Sequence, residues 1–164
     1  MAEPSERDQL IDQGLAREAI RDLVARYNSN GDSGRFGPLL ELFAPDAVME
    51  TGDLGGEFTG YHGVEEITKI FTGAQERIRA QPESGSPGYL RHFTATHQID
   101  LIDADHANGR LYFAVLMSHG LDHWGRYIDQ YIRLSGQWKF AHRKVYVDGR
   151  VAGSWFAGPG AARS

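Results

Sequence analysis

A chain of 164 residues is long enough for one domain that buries about 70% of its unfolded surface, and 41% hydrophobic residues with 8 Phe, 7 Tyr and 3 Trp mark a globular rather than a disordered protein. Its 17 Lys+Arg against 22 Asp+Glu give a net charge of -5 with no basic block, which argues against nucleic acid as a partner. The absence of cysteine excludes disulfides, thiolate zinc sites and a cysteine nucleophile, and fits a reducing cytoplasm.

No run of about 18 apolar residues occurs and no apolar core follows a basic start near residue 1, so the expectation is a cytoplasmic protein that neither spans a membrane nor is exported. Residues 1–9 are polar and expected to fray, with a single domain over 10–156 and a tail of small residues at 157–164.

Within the domain, residues 16–27 place Ile20, Leu23, Val24 and Tyr27 at helical spacing opposite Arg17, Glu18, Arg21, Asp22 and Arg26, an amphipathic helix. It is expected to weaken in Asn28-Ser29-Asn30-Gly31-Asp32, where polar residues compete for the backbone, so Asp32 falls at or just past the helix end. A short helix over 36–43 follows, with Pro38 tolerated in its first turn, and Ala44-Pro45-Asp46 should stop it. Residues 47–51 and 57–59 read as short strands around the glycine-rich turn 52–56, which lacks the context of a phosphate loop. A third helix spans 63–79, with Val64, Ile67, Ile70 and Phe71 inward and Glu65 and Glu66 favourably in its first turn.

A loop of breakers at 81–88 leads to four strands, 89–102, 110–119, 124–134 and 138–147, joined by turns at Asn108-Gly109, Gly120-Leu121-Asp122 and Ser135-Gly136. Helices followed by an antiparallel meander mean an α+β protein, the helices covering one face of a curved sheet.

The first of these strands carries His92 and His97 among β-branched and aromatic residues. His92 is either a core histidine satisfied by the backbone or the residue that moves protons. His97 has the opposite strand parity unless a bulge intervenes, and so faces a helix or a subunit boundary. His119 and His123 are four apart on a hairpin without a third convergent ligand, which argues against a metal site.

The order of several strings resembles the SnoaL-like branch of the nuclear transport factor 2-like superfamily. They are Ile20-Arg21-Asp22-Leu23-Val24-Ala25-Arg26-Tyr27, Leu42-Phe43-Ala44-Pro45-Asp46-Ala47-Val48, Gly63-Val64-Glu65-Glu66-Ile67, Arg91-His92-Phe93-Thr94-Ala95-Thr96-His97, Gly125-Arg126-Tyr127-Ile128-Asp129 and Trp138-Lys139-Phe140-Ala141-His142-Arg143. The resemblance implies a cone-shaped, curved antiparallel sheet wrapped around N-terminal helices, with a central apolar pocket that works without metal or organic cofactor. It also implies a homodimer or homotrimer. In dehydratases and a dehydrochlorinase of this branch an aspartate ending the first helix pairs with a histidine on the first long strand, which matches Asp32 and His92. A tyrosine five residues before the aspartate matches Tyr27. The family's frequent asparagine four residues after the histidine is replaced here by Thr96.

The chemistry of this trio is coherent. Histidine titrates near neutral pH, a carboxylate on one ring nitrogen fixes its tautomer, and a tyrosine hydroxyl in a dry cavity polarises a carbonyl or protonates a departing oxygen. Asp32 equally fits a helix cap or turn, and Tyr27 a plain core residue.

His119 shares a strand face with Leu111, Phe113, Val115 and Met117 and is a candidate second donor at the pocket mouth. Tyr127 and Asp129 share a face with Tyr131 and Arg133 that is either a polar pocket wall or solvent. Phe43, Met49, Phe58, Met117 and Trp155 could line the pocket or fill the core. The functional expectation is a lyase or isomerase, foremost a dehydratase, acting on a small apolar ring-containing hydroxy or keto compound. The alternative is a non-catalytic ligand-binding or accessory subunit of the same fold.

Overall fold

The computed structural model describes residues 5–53, 56–79 and 90–156. The expected loop at 81–88 and the tail at 157–164 lie outside the described residues. The elements run α1 (Glu6–Asp32), α2 (Phe36–Leu40), β1 (Phe43–Asp53), β2 (Thr59–His62), α3 (Gly63–Arg79), β3 (Leu90–Leu101), β4 (His106–Met117), β5 (Gly120–Leu134) and β6 (Gln137–Arg150). The strands form one sheet in the order β2-β1-β6-β5-β4-β3, antiparallel throughout except for the parallel β1–β6 pair. It is a mixed α+β fold with a curved, open sheet, and α1 and α3 pack on its inner face. No helix among the described residues is long and apolar enough to cross a membrane.

The stripe Ile20, Leu23, Val24 and Tyr27 is buried against Phe43, Phe113, Val115, Tyr131 and Phe140, so α1 is held by its apolar face. The helix extends beyond its periodic stretch at both ends. Ser5 caps it through a reciprocal pair with Asp8, so residues 6–9, expected to fray, form its first turn, although Leu10, Ile11 and Leu15 remain exposed. At the other end Arg35 reaches back to Asn30 Oδ1 at 2.9 Å and Ser29 Oγ at 3.1 Å, and Asn28 is buried, so the polar run 28–32 stays helical. Asp32 is the last helical residue.

Other boundaries move for identifiable reasons. The stop expected at Ala44-Pro45-Asp46 is the start of β1, because a register shift between Phe43 and Val48 lets the strand pass the proline while still pairing with β6. β2 falls at Thr59–His62 rather than 57–59. Asn108-Gly109 is not a turn. Asp103 Oδ1 accepts the backbone N–H groups of Asp105 and His106, each at 2.8 Å, and this side-chain-closed turn reverses the chain between Leu101 and His106. Gly120, Leu121 and Asp122 belong to β5, and the reversal is made at Ser118-His119. Ser135-Gly136 is the turn expected, with φ of 49° and 80° as a primed two-residue hairpin turn requires.

Gly109 then has a different purpose. A Cβ there would fall 2.6 Å from Cε2 and 2.7 Å from the hydroxyl oxygen of Tyr131, whose ring lies across the strand. Gly109→Ala is expected to destabilise the protein by about 1–3 kcal/mol through overpacking. Chemical denaturation measures it; a midpoint equal to the wild type would show that Tyr131 moves aside without penalty.

Candidate active site

The inner face of the sheet, the end of α1 and α3 enclose a cavity of about 390 Å³. Most of its wall is apolar: Met49, Ile70, Phe71, Leu90, Phe113, Val145, Val147, Trp155 and Phe156. Polar groups enter from Asn28, Asp32, His92, His123, Tyr27 and Tyr127.

Asp32 and His92, sixty residues apart, meet at its edge. Asp32 Oδ1 lies 2.6 Å from His92 Nδ1, and Oδ2 accepts the His92 backbone N–H at 2.9 Å. Both carboxylate oxygens therefore bind the same residue, which locks the ring's position as well as its tautomer. Arg91 adds a guanidinium bond to the Asp32 carbonyl at 3.3 Å, tying the end of α1 to β3. The Asp32 side chain is 7% exposed and that of His92 22%, so the carboxylate is enclosed and the imidazole faces the cavity. With Nδ1–H donated to Asp32, Nε2 is the lone-pair nitrogen.

Beneath the cavity lies a charged pair that the sequence does not announce. Arg143 and Asp129 are fully buried, Arg143 donating from Nε at 2.9 Å and Nη2 at 2.7 Å to the two Asp129 oxygens. The guanidinium carbon also stands 4.1–4.2 Å from the ring centroids of Tyr27, Tyr127 and Phe140. Tyr131 donates its hydroxyl to Asp129 at 2.8 Å, so the His97 Nε2 at 3.2 Å from that hydroxyl is the donor in their bond. Burial pushes the Tyr27 and Tyr127 hydroxyls above the usual tyrosine range despite the nearby guanidinium, and both stay protonated at neutral pH. Burial likewise lowers His97, which keeps it neutral.

Several expected residues stand elsewhere. Tyr27, Met49, Tyr127 and Trp155 line the cavity. Phe43 does not, because it packs between the rings of Tyr27 and Phe140 at 6.0 and 5.2 Å. Met117 is buried at the end of β4, beside the wall residue Leu90 but not itself lining the cavity. Phe58 packs edge-on against Tyr146 at 4.7 Å under the Lys144 ammonium, on the sheet face opposite Val145 and Val147. Asp129 is a support for Arg143, one layer below the wall. His119 sits in the Ser118-His119 turn with its side chain 46% exposed, 3.1 Å from Asp122. His97 turns to the same inner face as His92, the face on which α1 packs, because a bulge between Ala95 and Gln98, with Thr96 at φ 56°, reverses the strand parity expected after His92.

Asn28 and His123 are polar wall residues that escaped the sequence reading. Asn28 precedes Asp32 by one helical turn and shares its face, a relation hidden by the turn-like composition of 28–32. His123 shares the parity of Gly125 and Tyr127, which reading 120–122 as a turn concealed. His123 is buried and its Nδ1 lies 2.7 Å from Asp122 Oδ2. Asp122, fully buried, also accepts from Ser154 Oγ at 2.6 Å and the Trp155 N–H at 2.9 Å, and so fastens the segment that brings Trp155 and Phe156 to the cavity.

Burial acts to raise the Asp122 carboxyl, but the hydrogen bonds from Ser154, Trp155 and His123 outweigh it and hold it below the ordinary range. A depressed folded-state pKa contributes stability above the unfolded value, near 4, that is lost as pH falls through the folded value. Asp122→Asn is therefore expected to lower stability at neutral pH and to flatten its decline below about pH 4, read from denaturation midpoints between pH 2 and 7. Parallel pH profiles for the two proteins would contradict this.

Among the described residues no group of three or more His, Asp or Glu could hold a metal ion.

Comparison with known proteins agrees with this architecture. Over 93% of its length the chain superposes on Rv3472 of Mycobacterium tuberculosis, a protein of unknown function, with a TM-score of 0.71, 22% identity and 83% of that chain covered. A protein of Novosphingobium aromaticivorans provisionally named scytalone dehydratase matches with a TM-score of 0.72 at 20% identity, covering 94% of this chain and 99% of its own. The hexachlorocyclohexane dehydrochlorinase LinA-type3 of Novosphingobium barchaimii matches with a TM-score of 0.66 at 22% identity, covering 91% and 99%. At these identities the likeness is one of fold. No curated protein sequence matches. The model of the SnoaL-like domain matches residues 12–144, from α1 into β6, and the chain belongs to the SnoaL-like family.

Proposed function

We propose that the protein is a lyase, a dehydratase of small, largely apolar, ring-containing hydroxy or keto compounds, working by proton abstraction without a cofactor. The observation that carries this reading is the 2.6 Å contact between His92 Nδ1 and Asp32 Oδ1 at the wall of a mostly apolar 390 Å³ cavity. His92 Nε2 takes a proton from a carbon beside a carbonyl, and Asp32 stabilises the imidazolium that forms. The C–H electron pair becomes the new double bond as the neighbouring C–O bond breaks. The departing hydroxyl leaves as water with a proton from the Tyr27 hydroxyl or the imidazolium. Tyr27, kept protonated by burial, suits donation. The scytalone dehydratase and dehydrochlorinase neighbours favour the same class, since loss of water and loss of hydrogen halide both begin with removal of a proton from carbon.

The test is a thermal-shift screen of hydroxylated and ketonic ring compounds, followed by turnover of those that raise the melting temperature. Dehydration of at least one hit is expected. Hits that bind and are never converted would instead identify a ligand holder.

The protein works as a homodimer or homotrimer through the outer face of the sheet. Phe93, Tyr112, Trp124 and Ile128 are exposed on the neighbouring strands β3, β4 and β5, with Phe93 and Trp124 in one row across Ala114. Large apolar side chains exposed on one sheet face are a usual mark of association. Gel filtration with light scattering is expected to give an oligomer at micromolar concentration and a monomer after Phe93→Lys with Trp124→Lys. A monomeric wild type would refute the assembly.

A further inference from the structure

We infer that Asn28 anchors the bound molecule through its side-chain carboxamide, whose oxygen accepts a hydrogen bond from a hydroxyl or N–H group of the ligand; this rests on the cavity being the ligand site of the proposed function. Asn28 is 7% exposed and lines the cavity on α1, one turn before Asp32 and thus about 6 Å from it along the helix axis. Its Oδ1 is buried and has no hydrogen-bond partner among the described residues. A buried amide oxygen left unpaired is costly, on the order of 1–3 kcal/mol, and asparagine is a poor choice for an apolar helix stripe continuing Ile20, Leu23, Val24 and Tyr27. The terminal torsion of asparagine is broad, so a modest rotation turns the oxygen toward a donor held in the cavity.

Among the other polar wall groups, Asp32 and His92 pair with each other, and the His123 ring pairs with Asp122 behind it. Asn28 is a wall residue with a buried acceptor that lacks a partner among the described residues, and the ligand completes it. The substrate class narrows accordingly to ring compounds that carry, besides the C–H beside a carbonyl, a hydroxyl or N–H directed at α1. An O-alkylated analogue leaves Asn28 unpaired and is rejected, which is how a site built for a hydroxyl discriminates.

The test uses β-naphthol and its methyl ether, two ring compounds of one shape that differ in the donor. Calorimetric titration of the wild type is expected to show the naphthol bound about 10-fold more tightly. Asn28→Leu, of similar volume without the acceptor, is expected to bring the two within about 2-fold, chiefly by weakening the naphthol. In the unaltered protein the side-chain amide signal of Asn28 in a proton–nitrogen correlation spectrum is expected to shift with the naphthol and not with the ether, a readout independent of how the variant folds. Equal affinities or no binding of either probe by the wild type, an unchanged ratio in Asn28→Leu, or an amide signal indifferent to the naphthol would each overturn the inference. Equal affinities would mean that the oxygen is paired by water alone. All three readouts report binding, so their failure beside intact His92-dependent turnover rejects the anchor and not the reaction.

Discussion

Replacing His92 with alanine is expected to lower turnover of a compound found by the screen by about 10²–10⁴-fold, the range of a positioned general base. His92→Asn separates chemistry from folding. Its carboxamide nitrogen stands where Nδ1 stands and still donates to Asp32, which otherwise would keep an enclosed carboxylate with one partner fewer. The asparagine variant has no nitrogen base, so it should be as inactive as alanine yet melt within about 2 °C of the wild type. Asp32→Asn should be similarly impaired, because a carboxamide at 2.6 Å no longer imposes the Nδ1–H tautomer or offsets the imidazolium charge. Turnover near the wild-type rate in either His92 variant, measured on the same compound, would remove His92 from the mechanism.

The largest loss of stability is expected from Asp129→Ala. Arg143 is wholly buried, and the aspartate is its bidentate partner. Removing one member of a buried ion pair costs about 3–5 kcal/mol because the other charge is left desolvated. For a chain of this size that is about 6–20 °C in melting temperature. The variant also removes the acceptor of the Tyr131 hydroxyl. Asp129→Leu combined with Arg143→Met replaces the pair by apolar groups and should recover most of the loss, which a calorimetric scan of the three proteins would show. The double variant should nonetheless bind ligands less well, since Arg143 is the surface on which the rings of Tyr27 and Tyr127 rest. A melt of Asp129→Ala equal to the wild type would mean that Arg143 finds other compensation.

The sequence by itself determined what depends on local repetition. The spacing of Ile20, Leu23, Val24 and Tyr27 marks α1, the acidic start at Glu65 and Glu66 marks α3, and Ser135-Gly136 marks its hairpin, because periodicity and turn stereochemistry act over a few residues. Those elements in that order make the α+β class legible, and resemblance to a family joined Asp32 to His92 before their contact was visible.

Tertiary structure alone decided the rest. One extra residue at Thr96 reverses strand parity and sends His97 inward, and nothing in the composition around it demands that bulge. A carboxylate at Asp103 outcompetes Asn108-Gly109 for the turn, and Gly109 serves instead as space for the Tyr131 ring. Asn28 and His123 reach the wall, while Phe43, Phe58, Met117, His119 and Asp129 stay off it, because the wall is defined by how the sheet curves over α1. Curvature is a sum of long-range pairings, each between residues tens of positions apart. No window of sequence contains both partners, so the pairing becomes visible only in the folded chain.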